Sequence, residues 1–531
     1  MKRGPSLPTT ALAAWAKLND VCLDGIEVRS LPPTTTTTTT TKTDGGGGGG
    51  AHEKGAGLFA TRDRQPAQAR PAGDDGPEVL MRVPADLVLA LTTVETHAKS
   101  DRYLREVLDA AGDFGKTARG AILLFLLLLL THASQDCPDE VKSHVGLSNP
   151  WTGYLQFLPE VYPLPTFYSD GELEILRATS LQAALEAKLD SLEREFEQLR
   201  QSTGDIPWCR ANWWDGESGK LTFHDWKVVD AMYRSRALDL PEYGHAMVPC
   251  LDMANHASGA ETRALYEMDE ERNIVLQVRY GQSLRAGDEV TITLQEMEQR
   301  QTNEINALRY GDEKGAAEMI FSYGFLEGTV TNARQLFLEL QIPDDDPLKP
   351  AKMMACNDPP GVRVFTRMDP HDRPKMDWES AFVWWVCVNE EDGLGFEVLQ
   401  SNDGGREVQA AWKGSVLRSS AQLRAQLEED PLWDVYRLRA VVTIQERLLD
   451  QQRQLADSHD AVAEWGERVD EVTIRQSVWD TTMRLRGLEE QFLGQAIDDL
   501  ETEKHELAQL ATVQQYLGRY VIGADVTEDF S

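Results

Sequence analysis

The stretch Asp252-Met253-Ala254-Asn255-His256 decides how the fold of this chain is interpreted. It follows the apolar run Met247-Val248-Pro249-Cys250-Leu251, which predicts a short β-like segment. About seventy residues later comes Phe321-Ser322-Tyr323-Gly324-Phe325. An asparagine side chain both donates and accepts hydrogen bonds, and a neutral histidine can do one of each. The first stretch therefore offers a polar binding element directly after an apolar strand.

Short runs with β character surround this stretch. Residues 55–63 read as a glycine-containing turn that enters a strand, and Arg285-Ala286-Gly287-Asp288 predicts a turn before another strand. The other predicted strands share an apolar, β-branched composition: Val79–Val83, Ala264–Met268, Ile274–Tyr280 and Glu289–Thr293. These runs predict a β-containing core on either side of a long intervening segment.

Helical periodicity dominates the rest of the chain. Leu181, Leu185, Leu189, Leu192, Phe196 and Leu199 recur at spacings of four and three, which predicts an amphipathic helix. The apolar run Ala121–Leu130 is about half the roughly 20 residues that span a bilayer, so a buried helix is expected there. Further helices are predicted at Val228–Leu238, Val416–Leu427, Trp433–Gln454 and Val472–Tyr520, while Leu336–Leu340 fits either a strand or the start of a helix.

These patterns predict an α+β organisation in four parts. Residues 1–30 form an N-terminal helical segment, and 31–50 form a Thr- and Gly-rich linker, because such tracts cannot build a packed core. Residues 51–330 form the β-containing domain, with a helical insertion at about 96–225. Residues 335–531 form a mainly α-helical C-terminal domain.

Composition excludes some functions and favours others. The chain has 531 residues, 53 Lys and Arg against 87 Asp and Glu, and a net charge of −34, so direct binding to nucleic acid is not expected. An acidic surface suits either a basic partner or plain solubility. The six cysteines are far apart and contain no C-x-x-C pair, so neither a metal nor a disulfide framework is expected. A cytoplasmic location, a nuclear location or both, with no membrane association, fits these features.

The two opening segments, in their order, resemble the signature segments of SET-domain protein methyltransferases. Within that family they are most similar to the group related to the Rubisco large-subunit lysine methyltransferase and the fungal ribosomal-protein lysine methyltransferases. The resemblance implies a set of small β-sheets split by a helical insertion, and then a helical substrate-binding domain. In this reading the SET domain covers residues 51–330.

The resemblance also implies a site for S-adenosylmethionine (AdoMet). The cofactor-binding residues that it implies come from several separate segments: Lys54, Gly55, Ala56, Gly57, Leu58, Arg236, Asp252, Asn255, His256, Gly315, Ala316, Ala317 and Tyr323. Arg236 is expected at the cofactor carboxylate, with Arg234 as a competitor. Tyr323 and Tyr310 are the expected catalytic residues, lining the channel between cofactor and substrate.

The implied activity is AdoMet-dependent methylation of a lysine in a non-histone protein, such as a ribosomal protein or an elongation factor, by a monomer. Two alternatives stay open: methylation of a protein histidine, and a non-catalytic interaction protein that has kept the SET fold. One departure from the family pattern is the polar stretch Leu294–Arg309, which separates the last predicted strand from Tyr310. It is either a loop insertion or an unspliced intron in the gene model, and we favour the second.

Overall fold

The structure is a computed structural model, and it describes most of the chain outside a set of short gaps. The described residues are 1, 3, 6–30, 56–64, 78–135, 149–215, 220–255, 257, 261–292, 315–326, 330–368, 374–400, 406–466, 468–469 and 473–524. The predicted linker at 31–50 lies outside them.

Strands and helices are interspersed along the described residues. The strands are β1 (Cys22–Leu23), β2 (Ile26–Ser30), β3 (Ala56–Ala60), β4 (Val79–Val83), β5 (Ala237–Leu240), β6 (Gly244–Met247), β7 (Ala264–Met268), β8 (Ile274–Val278), β9 (Gln335–Glu339), β10 (Gly361–Met368), β11 (Pro374–Glu379), β12 (Leu394–Gln400), β13 (Arg406–Trp412) and β14 (Ser415–Leu417). The helices are α1 (Leu12–Leu18), α2 (Leu91–Ser100), α3 (Arg102–Ala110), α4 (Ala118–Ala133), α5 (Pro150–Tyr154), α6 (Asp170–Glu174), α7 (Ser180–Thr203), α8 (Pro207–Cys209), α9 (Phe223–Arg234), α10 (Ala316–Tyr323), α11 (Lys349–Ala355), α12 (Val383–Cys387), α13 (Ser420–Glu428), α14 (Trp433–Asp457), α15 (His459–Gly466), α16 (Gln476–Ala508) and α17 (Ala511–Ala524).

The chain divides into two compact units, and their boundaries differ from the predicted ones. The first unit comprises Met1–Phe167 and Ala187–Glu313, and the second comprises Tyr168–Glu186 and Lys314–Ser531. Part of the predicted helical insertion therefore belongs to the second unit. Residues 1–30, predicted as an N-terminal helical segment, contain helix α1 and also two strands: β1 pairs with β4 and β2 pairs with β3 inside the first unit.

Small antiparallel sheets carry the first unit. Four strands form a sheet in the order β1-β4-β8-β7, while β2 pairs with β3 and β5 pairs with β6. Strand β8 lies between two neighbours in this sheet and is buried along its whole length. The predicted strands at 79–83 and 264–268 have the predicted bounds, and the prediction at 274–280 is two residues too long.

Helix α4 is the most hydrophobic element of the first unit. All of its residues from Gly120 to His132 are buried, which confirms the predicted buried helix. Its first turn is capped by Thr117, whose hydroxyl accepts a hydrogen bond from the Gly120 N–H at 3.0 Å. Within the described part of the chain, no helix combines the length and the apolar character needed to cross a membrane.

The second unit contains more β structure than its sequence predicted. Two three-stranded antiparallel sheets, β11-β10-β9 and β12-β13-β14, accompany its helices. Residues Val416 and Leu417 belong to β14, so the predicted helix at 416–427 is wrong at its start, and α13 begins at Ser420. In β10 the buried Val362 and Val364 alternate with partly exposed neighbours, but a two-residue period over so few positions is a weak signal.

Long helices supply the rest of the core of the second unit. Helices α14 and α16 pack against each other and bury apolar residues such as Ile444 and Leu493. The first turn of α7 also belongs to this unit, and Glu489 on α16 caps it. The Ser180 N–H donates to the Glu489 carboxylate at 3.1 Å, and the Ser180 hydroxyl donates to it as well. Burial raises the pKa of Glu489 to about 7.

The raised pKa of Glu489 predicts a pH dependence of stability. Between its ordinary value of 4.5 and about 7, the folded state binds more protons than the unfolded state. The contribution of this group to the free energy of unfolding is therefore present at low pH and declines as the pH rises through that window, by on the order of 3 kcal/mol. Glu489→Gln keeps an acceptor for Ser180 and is expected to remove this decline. Urea unfolding between pH 4.5 and 7.5 checks it, and an identical pH slope in both proteins contradicts it.

Candidate active site

Strand β3, which belongs to a segment that resembles the first AdoMet-binding segment of SET enzymes, lies next to residues 288–290 in the first unit. The Val290 N–H donates to the Leu58 carbonyl at 2.8 Å, and the Ala60 N–H donates to the Asp288 carbonyl at 2.8 Å. Phe59 and Glu289 form an antiparallel bridge between the segments. Strand β3 is therefore adjacent to residues 288–290, although about 230 positions separate them in the sequence.

Asn255 joins this arrangement from a third segment. Its side-chain amide donates from Nδ2 to Oε1 of Glu289 at 2.6 Å, and its backbone carbonyl accepts from the Ile292 N–H at 3.0 Å. Asn255 and Glu289 are both partly exposed, so the pair is accessible to a ligand. Because Nδ2 is hydrogen-bonded to Glu289, the protein itself fixes the orientation of the Asn255 amide.

Gly57 lies beneath this polar pair. A Cβ atom at position 57 would come within 2.9 Å of Oε1 of Glu289 and 3.2 Å of Nδ2 of Asn255. A residue with a Cβ at this position would force the Glu289 carboxylate to shift, so glycine lets the two side chains approach the strand this closely. We call Gly57, Asn255 and Glu289 the Gly57 cradle. Of the neighbouring predicted residues, Leu58 is fully buried and Ala56 is partly buried, so only the latter has accessible surface.

Arg236 and Asp252, both predicted cofactor ligands, form a buried ion pair. Nη1 of Arg236 donates to the Asp252 carbonyl at 2.9 Å and to its carboxylate at 3.2 Å. The side chains of Arg236 and Asp252 are 11% and 0% exposed. Arg236 thus has an internal partner, and its predicted contact with the cofactor carboxylate stays a prediction. Its competitor Arg234 lies 3.6 Å from the carboxylate of Asp230.

A tyrosine that the sequence did not single out completes this ion pair. Tyr154, at the end of α5, donates its hydroxyl to the Asp252 carboxylate and accepts a hydrogen bond from the Cys250 N–H at 2.9 Å. Burial raises the pKa of Asp252 above its ordinary value, although Arg236 and Tyr154 favour the carboxylate form. Burial also raises the pKa of Tyr154 well above 10, so its hydroxyl keeps its proton.

The remaining predicted site residues that the structure describes belong to the second unit. Gly315 precedes α10, and a Cβ there would lie 2.8 Å from the Gln335 side chain and 3.1 to 3.2 Å from two carbonyl oxygens. Ala316 and Ala317 form the first turn of α10. Tyr323 is the last residue of this helix, and Gly324, with φ of 79°, ends it in the left-handed region. The rings of Tyr323 and Phe325 are 6.3 Å apart.

Four predicted site residues lie outside the described residues: Lys54, Gly55, His256 and Tyr310. The same holds for the stretch Leu294–Arg309. The structure brings together Gly57, Asn255, Arg236 and Asp252 within the first unit. Glu289 and Tyr154 are the members of this group that sequence reasoning missed. A charge directly after a glycine turn could have indicated Glu289, whereas nothing local indicates that Tyr154 meets a carboxylate 98 positions away.

No family model matches the chain. The chain is nevertheless similar to several known proteins. It is 25% identical over 374 residues to SET domain-containing protein 8 of Schizosaccharomyces pombe, covering 70% of this chain and 76% of that protein. It is 21% identical to the actin-histidine N-methyltransferase of Gallus gallus, covering 72% of this chain and 53% of that enzyme. It is 25% identical to the chloroplastic fructose-bisphosphate aldolase-lysine N-methyltransferase of Arabidopsis thaliana, over 37% of each. The chain thus spans about three quarters of the first relative and about half of the second.

Solved structures show the same fold. The SET domain of LSMT bound to lysine and AdoHcy matches with a TM-score of 0.56 and 16% identity, over 98% of both chains. Rubisco LSMT bound to AdoMet matches with a TM-score of 0.55 and 17% identity, over 95% of this chain and 94% of that one. The chain has the fold of the SET-domain methyltransferases. Its α+β class with a C-terminal helical region, as predicted from the sequence, is confirmed.

Proposed function

We propose that this protein is an AdoMet-dependent protein-lysine N-methyltransferase that acts on a non-histone protein. The observation that carries the proposal is the Gly57 cradle. Two segments that the resemblance assigned to cofactor binding, at Gly57 and Asn255, are far apart in the sequence and meet at the partly exposed side chain of Glu289. Related folds were solved with AdoMet or AdoHcy bound. The Asn255 amide oxygen and the neighbouring backbone provide hydrogen-bonding groups of the kind that an adenosyl ligand uses.

In the proposed reaction AdoMet would supply the methyl group of its sulfonium: a neutral amine of the substrate would attack this methyl group in line. The N–C bond would form as the S–C bond breaks, AdoHcy would leave with that electron pair, and the methylated ammonium would then release a proton. A lysine with a pKa near 10.4 is mostly protonated at pH 7, and freeing its lone pair costs roughly 4–5 kcal/mol. A dry channel next to the positive sulfonium disfavours the ammonium form and so lowers this cost. Tyr323 and Tyr310 then act by orienting the amine, since positioning can supply much of the rate acceleration.

The net charge of the chain and the substrates of similar proteins support the proposed substrate. A net charge of −34 favours a basic protein as partner, such as a ribosomal protein or an elongation factor. LSMT was solved with lysine bound, and one relative is an aldolase-lysine methyltransferase. The actin-histidine methyltransferases among the relatives favour histidine as the second candidate. We further propose that the protein acts as a monomer in the cytoplasm, the nucleus or both.

Methylation of a cell extract with radiolabelled AdoMet tests the proposed activity. The purified full chain is added to an extract from cells that lack it, the labelled protein is isolated, and its amino acids are separated after hydrolysis. Label in methyllysine supports the proposal, whereas label in methylhistidine supports the second candidate. AdoMet binding without labelled protein in any extract would favour a non-catalytic SET-fold interaction protein.

A further inference from the structure

The hydroxyl of Tyr154 joins two residues of one turn in the first unit. It accepts from the Cys250 N–H at 2.9 Å and donates to the Asp252 carboxylate, so one atom bridges two residues of the same turn. The turn, residues 248–252, is closed by a hydrogen bond from the Asp252 N–H to the Val248 carbonyl at 3.0 Å. We call it the Cys250 turn. It leads within three residues to Asn255 of the Gly57 cradle.

The backbone of the Cys250 turn is strained. Cys250 has a φ of 67°, in the left-handed region that residues with a Cβ rarely adopt. A non-glycine residue remains there only when its surroundings hold it in place. The Tyr154 hydroxyl holds Cys250 in place by accepting a hydrogen bond from its N–H. Arg236 also holds the turn, by donating to both the carbonyl and the carboxylate of Asp252.

Tyr154 is itself fixed by aromatic packing. It is fully buried, and its ring lies 5.3 Å from that of Trp151 in an edge-on arrangement and 4.9 Å from that of Trp15. The Trp151 indole donates to the Leu87 carbonyl and the Trp15 indole donates to the Pro150 carbonyl, each at 3.1 Å. The hydroxyl therefore comes from a rigid support in the predicted helical insertion, outside the signature segments.

We propose that Tyr154 is a positioning residue for cofactor binding: through the Cys250 turn it holds Asn255 in the orientation that the cradle requires. This inference rests on the proposed function, because it takes Asn255 as a cofactor ligand. Tyr154 touches no reacting atom in this scheme. Its loss is therefore expected to change the affinity for AdoMet rather than the rate of methyl transfer.

Calorimetric titration with AdoMet and steady-state methylation of the labelled substrate test this role in the full chain. Tyr154→Phe is expected to raise the Kd and the KM for AdoMet about tenfold, the effect of losing a hydrogen bond to a charged group. The kcat at saturating AdoMet and the KM for the protein substrate are expected to stay unchanged. Adding Cys250→Gly should restore part of the affinity, since glycine adopts a positive φ without strain.

A matched control is Tyr436→Phe, which removes another buried tyrosine hydroxyl; among the described residues that hydroxyl has no hydrogen-bond partner. It should leave AdoMet binding unchanged. Equal AdoMet affinity in the wild type and Tyr154→Phe, or a loss confined to kcat, overturns the inference. Failure of the wild type to bind AdoMet overturns the proposed function and this inference with it.

Hydrogen exchange on the wild type covers the case in which Tyr154→Phe does not fold. Because coupling between two elements is reciprocal, AdoMet should slow exchange in peptides from both 150–157 and 247–255. Protection of 247–255 alone, with no change in 150–157, overturns the role of Tyr154 while leaving the cofactor site intact.

Discussion

Tyr323→Phe is expected to lower kcat about a hundredfold or more while leaving the Kd for AdoMet within about twofold of the wild-type value. The substitution removes one hydroxyl and keeps the ring, so the end of α10 at Gly324 and the contact with Phe325 are preserved. In the proposed mechanism this hydroxyl orients the amine towards the methyl group. A misplaced nucleophile loses rate without any loss of cofactor binding.

The measurement is single-turnover methylation of the labelled substrate, with the cofactor Kd determined separately by calorimetry. Tyr436→Phe serves as the control here too, because it also removes one tyrosine hydroxyl and keeps the ring, and the buried Tyr436 is not among the predicted site residues. Full turnover by Tyr323→Phe refutes its catalytic role. A parallel loss of cofactor binding would instead assign Tyr323 to the cofactor site.

Gly57→Ala is expected to weaken AdoMet binding by about tenfold or more. The added methyl group would come within 2.9 Å of Glu289 and 3.2 Å of Asn255, so the Glu289 carboxylate has to move. That movement breaks the 2.6 Å hydrogen bond that orients the Asn255 amide. Hydrogen bonds to charged groups contribute about 1.5–3 kcal/mol, which corresponds to roughly tenfold to a hundredfold in affinity.

The matched control for this substitution is Gly487→Ala. Gly487 lies within helix α16, and a Cβ there would meet nothing within 4 Å. Alanine is favoured over glycine in a helix, so this variant should bind AdoMet like the wild type and be slightly more stable. The affinity of both variants for AdoMet, measured by calorimetry, tests this prediction. Equal affinities for Gly57→Ala and Gly487→Ala would contradict the role given to the cradle.

Much of the fold was predictable because it depends on strong local patterns. The apolar run at 121–130 and the leucine spacing from Leu181 to Leu199 each exceed two helical turns, and both predict helices that the structure contains. Strands β4 and β7 were predicted with their bounds, since β-branched and apolar residues end there at Pro84 and at a polar turn.

The strands of the second unit were not predictable in the same way. In β10, charged residues such as Arg363 alternate with buried valines for only a few positions, and the strand is stabilised by its neighbours β9 and β11 rather than by its own pattern. Strand β2 was not predicted for the same reason, since its partner β3 begins 26 positions after its end. Pairing over such distances is a tertiary effect that local propensity does not report.

Part of the candidate site could likewise be predicted from the sequence, and part could not. Gly57 and Asn255 were predicted because the segments that contain them resemble those of SET enzymes, and the turn at 285–288 was predicted from its glycine and aspartate. Arg236 and Asp252 were each predicted as cofactor-binding residues, which stays a prediction, and their ion pair with each other was not predicted. Tyr154 was missed because its importance arises from the strained Cys250 backbone, and a positive φ at a non-glycine residue leaves no trace in the sequence.

Calorimetric titration of the purified full chain with AdoMet tests the central claim most directly. The account predicts saturable binding with a Kd in the micromolar range, which weakens in Gly57→Ala and is preserved in Gly487→Ala. Absence of any binding heat at AdoMet concentrations far above the micromolar range would contradict the claim that the Gly57 cradle is a cofactor site.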